Sequence, residues 1–148
     1  MSRTLVIVDM QTGFDETAHR CKEQVIREVK RAKRRGAGIV VLEYTGDFFR
    51  YGRTYLEIRK LLKGYGRKTF AKKRNDDGSK ECIRAANRNG FPLDKVRVVG
   101  VNRSYCVWGT IDGLRRKIKT DIQVMMDATC CHDPADGERW LRRNCKVV

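Results

Sequence analysis

Short apolar runs alternate along the chain with segments in which apolar residues recur at helical spacing. Residues 5–8 form a continuous aliphatic run, which is typical of a strand covered on both faces. Residues 19–35 carry apolar side chains at every third or fourth position, with eight Lys/Arg mainly between them, and Gly36 follows. This pattern predicts an amphipathic helix that ends at the glycine. The same reasoning predicts strands at 38–44, 68–73, 95–101, 121–127 and 146–148, and helices at 53–63, 79–89, 104–118 and 136–144.

The order of these elements indicates the fold class. Strands that alternate with helices through short connections pair in parallel and use right-handed crossovers. We therefore predict an α/β protein, with a three-layer α/β/α Rossmann-like fold and a mostly parallel sheet of five or six strands. A chain of 148 residues with 41% hydrophobic residues fits a single domain over 1–148. In such sheets ligands bind beyond the carboxyl ends of the strands.

Composition narrows the setting of this domain. No apolar stretch approaches the roughly 20 residues of a membrane span, and the first strand begins too early for a signal peptide. We expect no membrane association and a cytoplasmic location. There the six cysteines stay reduced, most of them as small buried hydrophobes. A metal site at Cys131 and His132 lacks nearby partner ligands, so no metal and no cofactor are predicted.

Three candidate side chains follow predicted strands and meet at one sheet edge. Asp9 comes directly after the first strand, Lys73 ends the third, and Cys106 lies in the first turn of the helix after the fourth. If Ser104 caps that helix, its dipole lowers the pKa of the thiol and activates Cys106 as a nucleophile. Taken singly, the three could also be a loop carboxylate, a solvated lysine and a structural cysteine.

Three motifs resemble one family. Residues 4–14 (TLVIVDMQTGF), 100–110 (GVNRSYCVWGT) and 123–129 (QVMMDAT) are similar, in order, to motifs of the isochorismatase-like cysteine hydrolases, which include nicotinamidases and other amidohydrolases. These landmarks span nearly the whole chain. The resemblance implies a catalytic triad, a pocket phenylalanine, and an oxyanion turn with a cis peptide at Val101–Asn102. The residues concerned are Asp9, Lys73 and Cys106 for the triad, Phe14 for the pocket and Asn102 for the turn.

The resemblance also implies the reaction. The Cys106 sulfur attacks the carbonyl of a small amide or ureido substrate, and water hydrolyses the resulting thioester. Lys72 is the alternative to Lys73, although its spacing to the following Asp and small residue fits less well. The stretch 43–49 lacks the histidines of metal-holding members, so we expect a metal-independent enzyme. Arg103 replaces the usual threonine, and either binds an anionic substrate group or marks a lost activity. The family also implies a homo-oligomer.

The net charge of +15 supports a rival hypothesis. Residues 48–74 hold ten Lys/Arg, one acidic residue and six aromatics, a mixture that suits single-stranded nucleic acid. The alternative function is therefore a catalytically altered member of the fold that binds nucleic acid. A solvated face, with its aromatic rings in the core or in an oligomer interface, is favoured over that interpretation. Recognition of a small anionic substrate is a third explanation.

Overall fold

Six parallel strands form one sheet in the computed structural model, which describes residues 3–46, 51–133 and 137–148. The strand order is β3-β2-β1-β4-β5-β6, and every pair is parallel, for example Leu5 beside Ile39 and Thr4 beside Val96. The predicted α/β class and the parallel sheet are confirmed. The strands are β1 (Thr4–Val8), β2 (Ile39–Tyr44), β3 (Lys68–Lys73), β4 (Lys95–Val101), β5 (Asp121–Cys130) and β6 (Lys146–Val147).

Two apolar layers cover the faces of this sheet. On one face the buried residues of α1 and α2 pack against the odd-numbered side chains of β1, and on the other α3, α4 and α5 pack against the even-numbered ones. Because both faces are covered, all five β1 residues are buried, as the continuous apolar run predicts. The helices are α1 (Asp15–Arg34), α2 (Leu56–Leu62), α3 (Ser79–Asn89), α4 (Trp108–Lys117) and α5 (Glu138–Asn144).

The helix starts differ most from the sequence prediction. α1 begins at Asp15, four residues before the predicted start, because its first turn carries the acidic pair Asp15 and Glu16 rather than an apolar stripe. The helical stretch after β4 begins with a π turn at Arg103–Val107, and its cap position is Asn102. Ser104 is therefore not the N-cap, and its hydroxyl instead lies 3.7 Å from the Cys131 sulfur.

The chain reverses its direction across the sheet between β1 and β4. From β1 it proceeds to β2 and β3 on one side, and then crosses to β4 and β5 on the other. This switch point opens a crevice at the carboxyl ends of the two central strands, where ligands of α/β proteins bind. Asp9 and Cys106 follow β1 and β4, so they lie on either side of that crevice.

Two further expectations concern the state of the cysteines and the presence of a membrane-spanning helix. All six cysteines lie within the described ranges and are free thiols, five of them buried and Cys145 intermediate. Among the helices that the structure describes, none is both long and apolar enough to cross a membrane.

Candidate active site

A buried ion pair joins the ends of β1 and β3. The Nζ of Lys73 lies 3.1 Å from Oδ2 of Asp9, and neither side chain is more than 1% exposed. Lys73 also donates to the Asn75 carbonyl oxygen at 3.0 Å, and its Nζ lies 4.8 Å from the centre of the Tyr44 ring. Lys72, the alternative in the sequence, is exposed. The described geometry thus brings Lys73, and not Lys72, to Asp9.

Asp9 has an unusual backbone conformation for a residue with a side chain. Its φ is 52°, in the left-handed region that aspartate tolerates better than most residues. Its N–H donates to the Leu42 carbonyl oxygen, and its own carbonyl accepts the Gln11 N–H. These bonds hold a strained turn at the end of β1, and such turns cluster at functional sites.

Cys106 lies across the switch point from Asp9. Its side chain is buried, and the Asp9 carboxylate is close enough to act as a hydrogen-bond partner of the thiol. The aligned hydrogen bond of the thiol, however, goes to Oδ1 of Asp76, with the sulfur 3.6 Å away. The structure therefore brings together Asp9, Lys73 and Cys106, and adds a second carboxylate.

The electrostatics of this cluster differ from the sequence prediction. Burial raises the pKa of the Cys106 thiol, the negative charge of Asp9 raises it further, and Lys73 only partly opposes them. Burial also raises the pKa of the Asp9 carboxyl, against the lowering effect of Lys73. The expectation that the helix start lowers the pKa of Cys106 is thus wrong, because desolvation and a neighbouring carboxylate outweigh the helix dipole. Both effects favour the protonated thiol.

An aromatic wall adjoins the crevice. Phe14, the predicted pocket residue, stacks on Tyr51 with ring centres 4.7 Å apart, and Tyr51 meets Tyr44 edge-on at 4.9 Å. The buried amide of Gln11 holds this wall together, since it accepts the Tyr44 N–H and donates to the carbonyls of Tyr44 and Gly52. Phe14 is partly buried, so one part of the ring remains accessible.

The two predicted residues of the oxyanion turn have different surroundings. The Val101–Asn102 peptide is cis, as the resemblance implies. The Asn102 Oδ1 is buried and receives no hydrogen bond from the described residues. The Arg103 guanidinium is buried and donates to the hydroxyl and carbonyl of Thr129 and to the Met126 carbonyl. Its described bonds therefore tie the π turn to the end of β5.

Two residues near Cys106 were missed by the sequence reasoning. Asp76 belongs to the Asn75–Gly78 turn, where an aspartate is ordinary, and only the fold shows that this turn reaches the start of α4. Tyr44 ends a strand and reads as a core residue, yet its ring faces the Lys73 ammonium. Sequence offers no signal for either contact, because both cross between separate elements.

The basic segment 48–74 is described only from residue 51 onward. Tyr55 is buried, Tyr65 packs on the core and donates to the Ala37 carbonyl, and Tyr51 stacks on Phe14. Phe70 on β3, at 41% exposure, is the most exposed aromatic of the described part of this segment. Phe48 and Phe49 lie outside the described residues. The described rings thus serve mainly intramolecular contacts. They do not form a row of stacking platforms.

Metal binding stays an open prediction. Among the described residues no group of three His, Cys, Asp or Glu side chains is arranged to hold a metal ion. The stretch 43–49 includes positions that the structure does not describe, Asp47 among them.

Comparison with known proteins establishes the fold. No protein-family model matches the chain, and a search of curated proteins finds no relative. Among solved structures, a pyrazinamidase/nicotinamidase from Streptococcus mutans UA159 matches with a TM-score of 0.81, at 16% identity, over 99% of this chain and 100% of that one. N-carbamoylsarcosine amidase from Thermoplasma acidophilum matches with a TM-score of 0.76, at 21% identity, over 99% of this chain and 95% of that one.

A third structure has a different activity in its name. MAR1 ribonuclease from Caenorhabditis elegans matches with a TM-score of 0.78, at 16% identity, over 99% of this chain and 76% of that one. All three are isochorismatase-like hydrolases. The chain has their fold, and the resemblance predicted from the motifs is confirmed at that level.

Proposed function

We propose that the chain is a cysteine amidohydrolase that cleaves a C–N bond of a small amide or ureido substrate. The observation that carries this proposal is the convergence of a buried thiol, a buried carboxylate and a buried ammonium at the switch point. Cys106 supplies the nucleophile, and Asp9 beside it supplies a base. Lys73, whose Nζ lies 3.1 Å from the Asp9 carboxylate, supplies a counter-charge. Two of the structures that share the fold are named as amidases.

The proposed mechanism begins with a neutral thiol. Asp9 accepts the Cys106 proton as the sulfur attacks the substrate carbonyl, and Lys73 offsets the negative charge left in the site. Because the pKa of Asp9 and that of Cys106 are both raised by burial, the proton moves between two groups that both disfavour charge. Backbone N–H groups at Cys106 and near Asn102 stabilise the oxyanion.

Collapse of the tetrahedral intermediate completes the first half of the reaction. Protonated Asp9 gives its proton to the leaving nitrogen, the C–N bond breaks, and an acyl-thioester remains on Cys106. Water then attacks the thioester with Asp9 as the base, which releases the acid and restores the thiol. In this mechanism we assign to the buried, unpartnered Oδ1 of Asn102 the role of accepting an N–H of the substrate.

A substrate screen tests this function. Primary amides and ureido compounds are incubated with the wild-type protein and with the Cys106→Ala variant, and released ammonia or amine is measured. We expect turnover by the wild type, none by the variant, and an acyl adduct on the Cys106 peptide in quenched samples. Hydrolysis that survives in Cys106→Ala at the wild-type rate contradicts the mechanism.

Binding of nucleic acid is the second candidate function, and one surface favours it. A cavity of about 200 Å³ near the amino ends of the strands is lined by four arginines, and Glu28 is the one acidic residue of that lining. The ribonuclease with the same fold makes RNA the first ligand to test. We expect binding of a labelled single strand to weaken steeply with salt and in the double variant Arg31→Gln/Arg35→Gln. Absence of binding at low salt removes this candidate. The four arginines that line the cavity are Arg3, Arg31, Arg35 and Arg97.

We also propose that the protein self-associates. Tyr105 is 60% exposed and Trp108 38% exposed on the helical stretch that carries Cys106, and Trp108 contacts Trp140 with ring centres 5.3 Å apart. Exposed aromatic side chains that lie close together are typical of protein interfaces. Light scattering after size-exclusion chromatography measures the oligomeric state, and a strictly monomeric protein contradicts this part.

A further inference from the structure

A second carboxylate lies at the candidate nucleophile, and the proposed mechanism does not use it. Oδ1 of Asp76 is 3.6 Å from the Cys106 sulfur. Asp9 is buried, whereas Asp76 is exposed and is therefore the carboxylate on the solvent side of the site. A molecule that contacts the sulfur from the side of Asp76 therefore meets this carboxylate.

The position of Asp76 is fixed by the backbone around it. The Thr110 hydroxyl on α4 donates to the Asp76 carbonyl oxygen at 3.3 Å and accepts the Gly78 N–H at 3.0 Å. On the preceding side the Lys73 ammonium donates to the Asn75 carbonyl at 3.0 Å. Gly109 permits this approach, since a Cβ there would lie 3.3 Å from the Asp76 backbone. The turn is thus attached to both β3 and α4, which keeps the carboxylate at the thiol.

The described groups around the thiol offer little to balance this charge. The Lys73 ammonium is buried and already paired with Asp9. The guanidinium of Arg103, which the sequence suggested as an anion-binding group, donates to Thr129 and Met126. The mouth of the site therefore presents a carboxylate to an incoming molecule.

The aromatic wall strengthens the same preference. Tyr44 is close enough to Asp76 and Cys106 for their charges to raise the pKa of its hydroxyl, after the larger effects of burial and Tyr51. The Tyr44 ring contacts the rings of Tyr51 and Phe14, which stack on each other. Aromatic faces beside a carboxylate are the combination that binds organic cations, through cation–π attraction and charge pairing.

We propose that Asp76 is a specificity-determining residue that selects substrates with a positive charge beside the scissile carbonyl, such as an ammonium or guanidinium group, and disfavours carboxylates. This inference rests on the proposed function, because it takes Cys106 as the nucleophile. It also replaces the anionic substrate group that the sequence suggested.

Charged thiol reagents test the selection without any need for hydrolysis. Methanethiosulfonates that carry a trimethylammonium or a sulfonate group react with Cys106 in the same way, because the thiolate forms a new S–S bond and methanesulfinate leaves. Both rates are followed at the Cys106 peptide by mass spectrometry, at low salt, in the wild type and in Asp76→Asn. A change in the thiolate fraction scales both rates equally, so their ratio isolates the effect of charge.

We expect Asp76→Asn to lower the cation-to-anion rate ratio about tenfold, and Asp76→Ser to do the same. Asp112→Asn on α4 removes the same charge from the protein and is the matched control, with a ratio within about twofold of the wild type. An unchanged ratio in both Asp76 variants overturns the proposal.

Three amides of similar size separate this inference from the function on which it rests. 3-Aminopropanamide, butanamide and succinamate present a cation, a neutral group and an anion, respectively. We expect kcat/KM of the wild type to fall in that order, and the three values to become similar in Asp76→Asn. If hydrolysis occurs without dependence on charge, the inference fails and the hydrolase stands. If no amide is cleaved while the reagent ratio still depends on Asp76, the hydrolase fails and Asp76 remains a charge filter at the thiol.

Discussion

At the scale of single residues, burial strongly constrains the Asp9–Lys73 pair. Both charges are withdrawn from water, with side chains at most 1% exposed. Removing an ion from water costs several kcal/mol, which the partner, the Asn75 carbonyl and the Tyr44 ring offset together. Neither charge can therefore be removed alone without a large loss of stability.

Lys73→Met tests this dependence, with Lys72→Met as its matched control. Lys73→Met leaves the Asp9 carboxylate buried without a counter-ion, so we expect the free energy of unfolding to fall by about 3–5 kcal/mol. Lys72 is exposed, and its replacement should change that energy by less than about 0.5 kcal/mol. Urea denaturation measures both. Similar values for the two variants contradict the proposed burial of Lys73.

The protonated resting thiol makes a prediction about pH. Burial and the Asp9 charge raise the pKa of Cys106, so only the unprotonated minority reacts with iodoacetamide near neutral pH. We expect the alkylation rate at Cys106 to be below that of free glutathione at pH 7, and to keep rising through about pH 9 without a plateau. Peptide mass spectrometry separates Cys106 from the other five cysteines.

Replacement of Asp9 tests how its charge affects the Cys106 thiol. Asp9→Asn removes a negative charge that raises the pKa of the thiol, so alkylation of Cys106 should become faster. A slower rate in Asp9→Asn contradicts this prediction and would mean that proton transfer to Asp9 matters more for alkylation than the charge of Asp9 does.

At the scale of elements, the close approach of β4 to β1 is decided by one residue. Gly100 has a φ of 121°, and a Cβ there would clash with the backbone of Val8. The pairing of β4 with β5 also shifts its register between Val98 and Gly100. Glycine thus permits the turn by which the chain leaves the sheet toward Cys106.

Gly100→Ala tests this requirement, and Gly66→Ala is its control. The alanine at 100 combines an unfavourable φ with a backbone clash, so we expect a loss of about 3 kcal/mol or more in the free energy of unfolding. A Cβ at Gly66 meets no atom within 4 Å, and its φ is not in the left-handed region, so the stability should barely change. Denaturant midpoints compare the two; equal midpoints contradict the clash.

The elements also show what a sequence can predict here. The strands that precede Asp9 and Cys106 follow from their continuous apolar runs, which are typical of strands covered on both faces. The strand that ends at Lys73 has no such run. The Asp76 contact does not follow, since it depends on how far the turn after β3 reaches toward α4. The cap of the Cys106 helix was missed because the π turn shifts it to Asn102. The pKa of the thiol depends on its burial, and the spacing of residues along the chain does not reveal that burial.

At the scale of the whole molecule, excess positive charge acts on stability as well as on ligand binding. The chain carries 33 Lys/Arg against 18 Asp/Glu, and the ion pairs of the described residues are mostly partly exposed. Exposed pairs contribute about 0–1 kcal/mol each, whereas repulsion among the remaining cations extends over a Debye length of about 10 Å at 0.1 M salt.

Screening should therefore stabilise the fold. We expect the free energy of unfolding to rise between about 0.01 M and 0.3 M potassium chloride, because salt weakens long-range repulsion more than it weakens the exposed pairs. The double variant Lys30→Gln/Arg34→Gln neutralises two exposed cations of α1 and should show a smaller rise. Urea titrations at each salt concentration measure both proteins. Stability that falls with salt would mean that the attractive pairs, and not the net charge, dominate the electrostatics of folding.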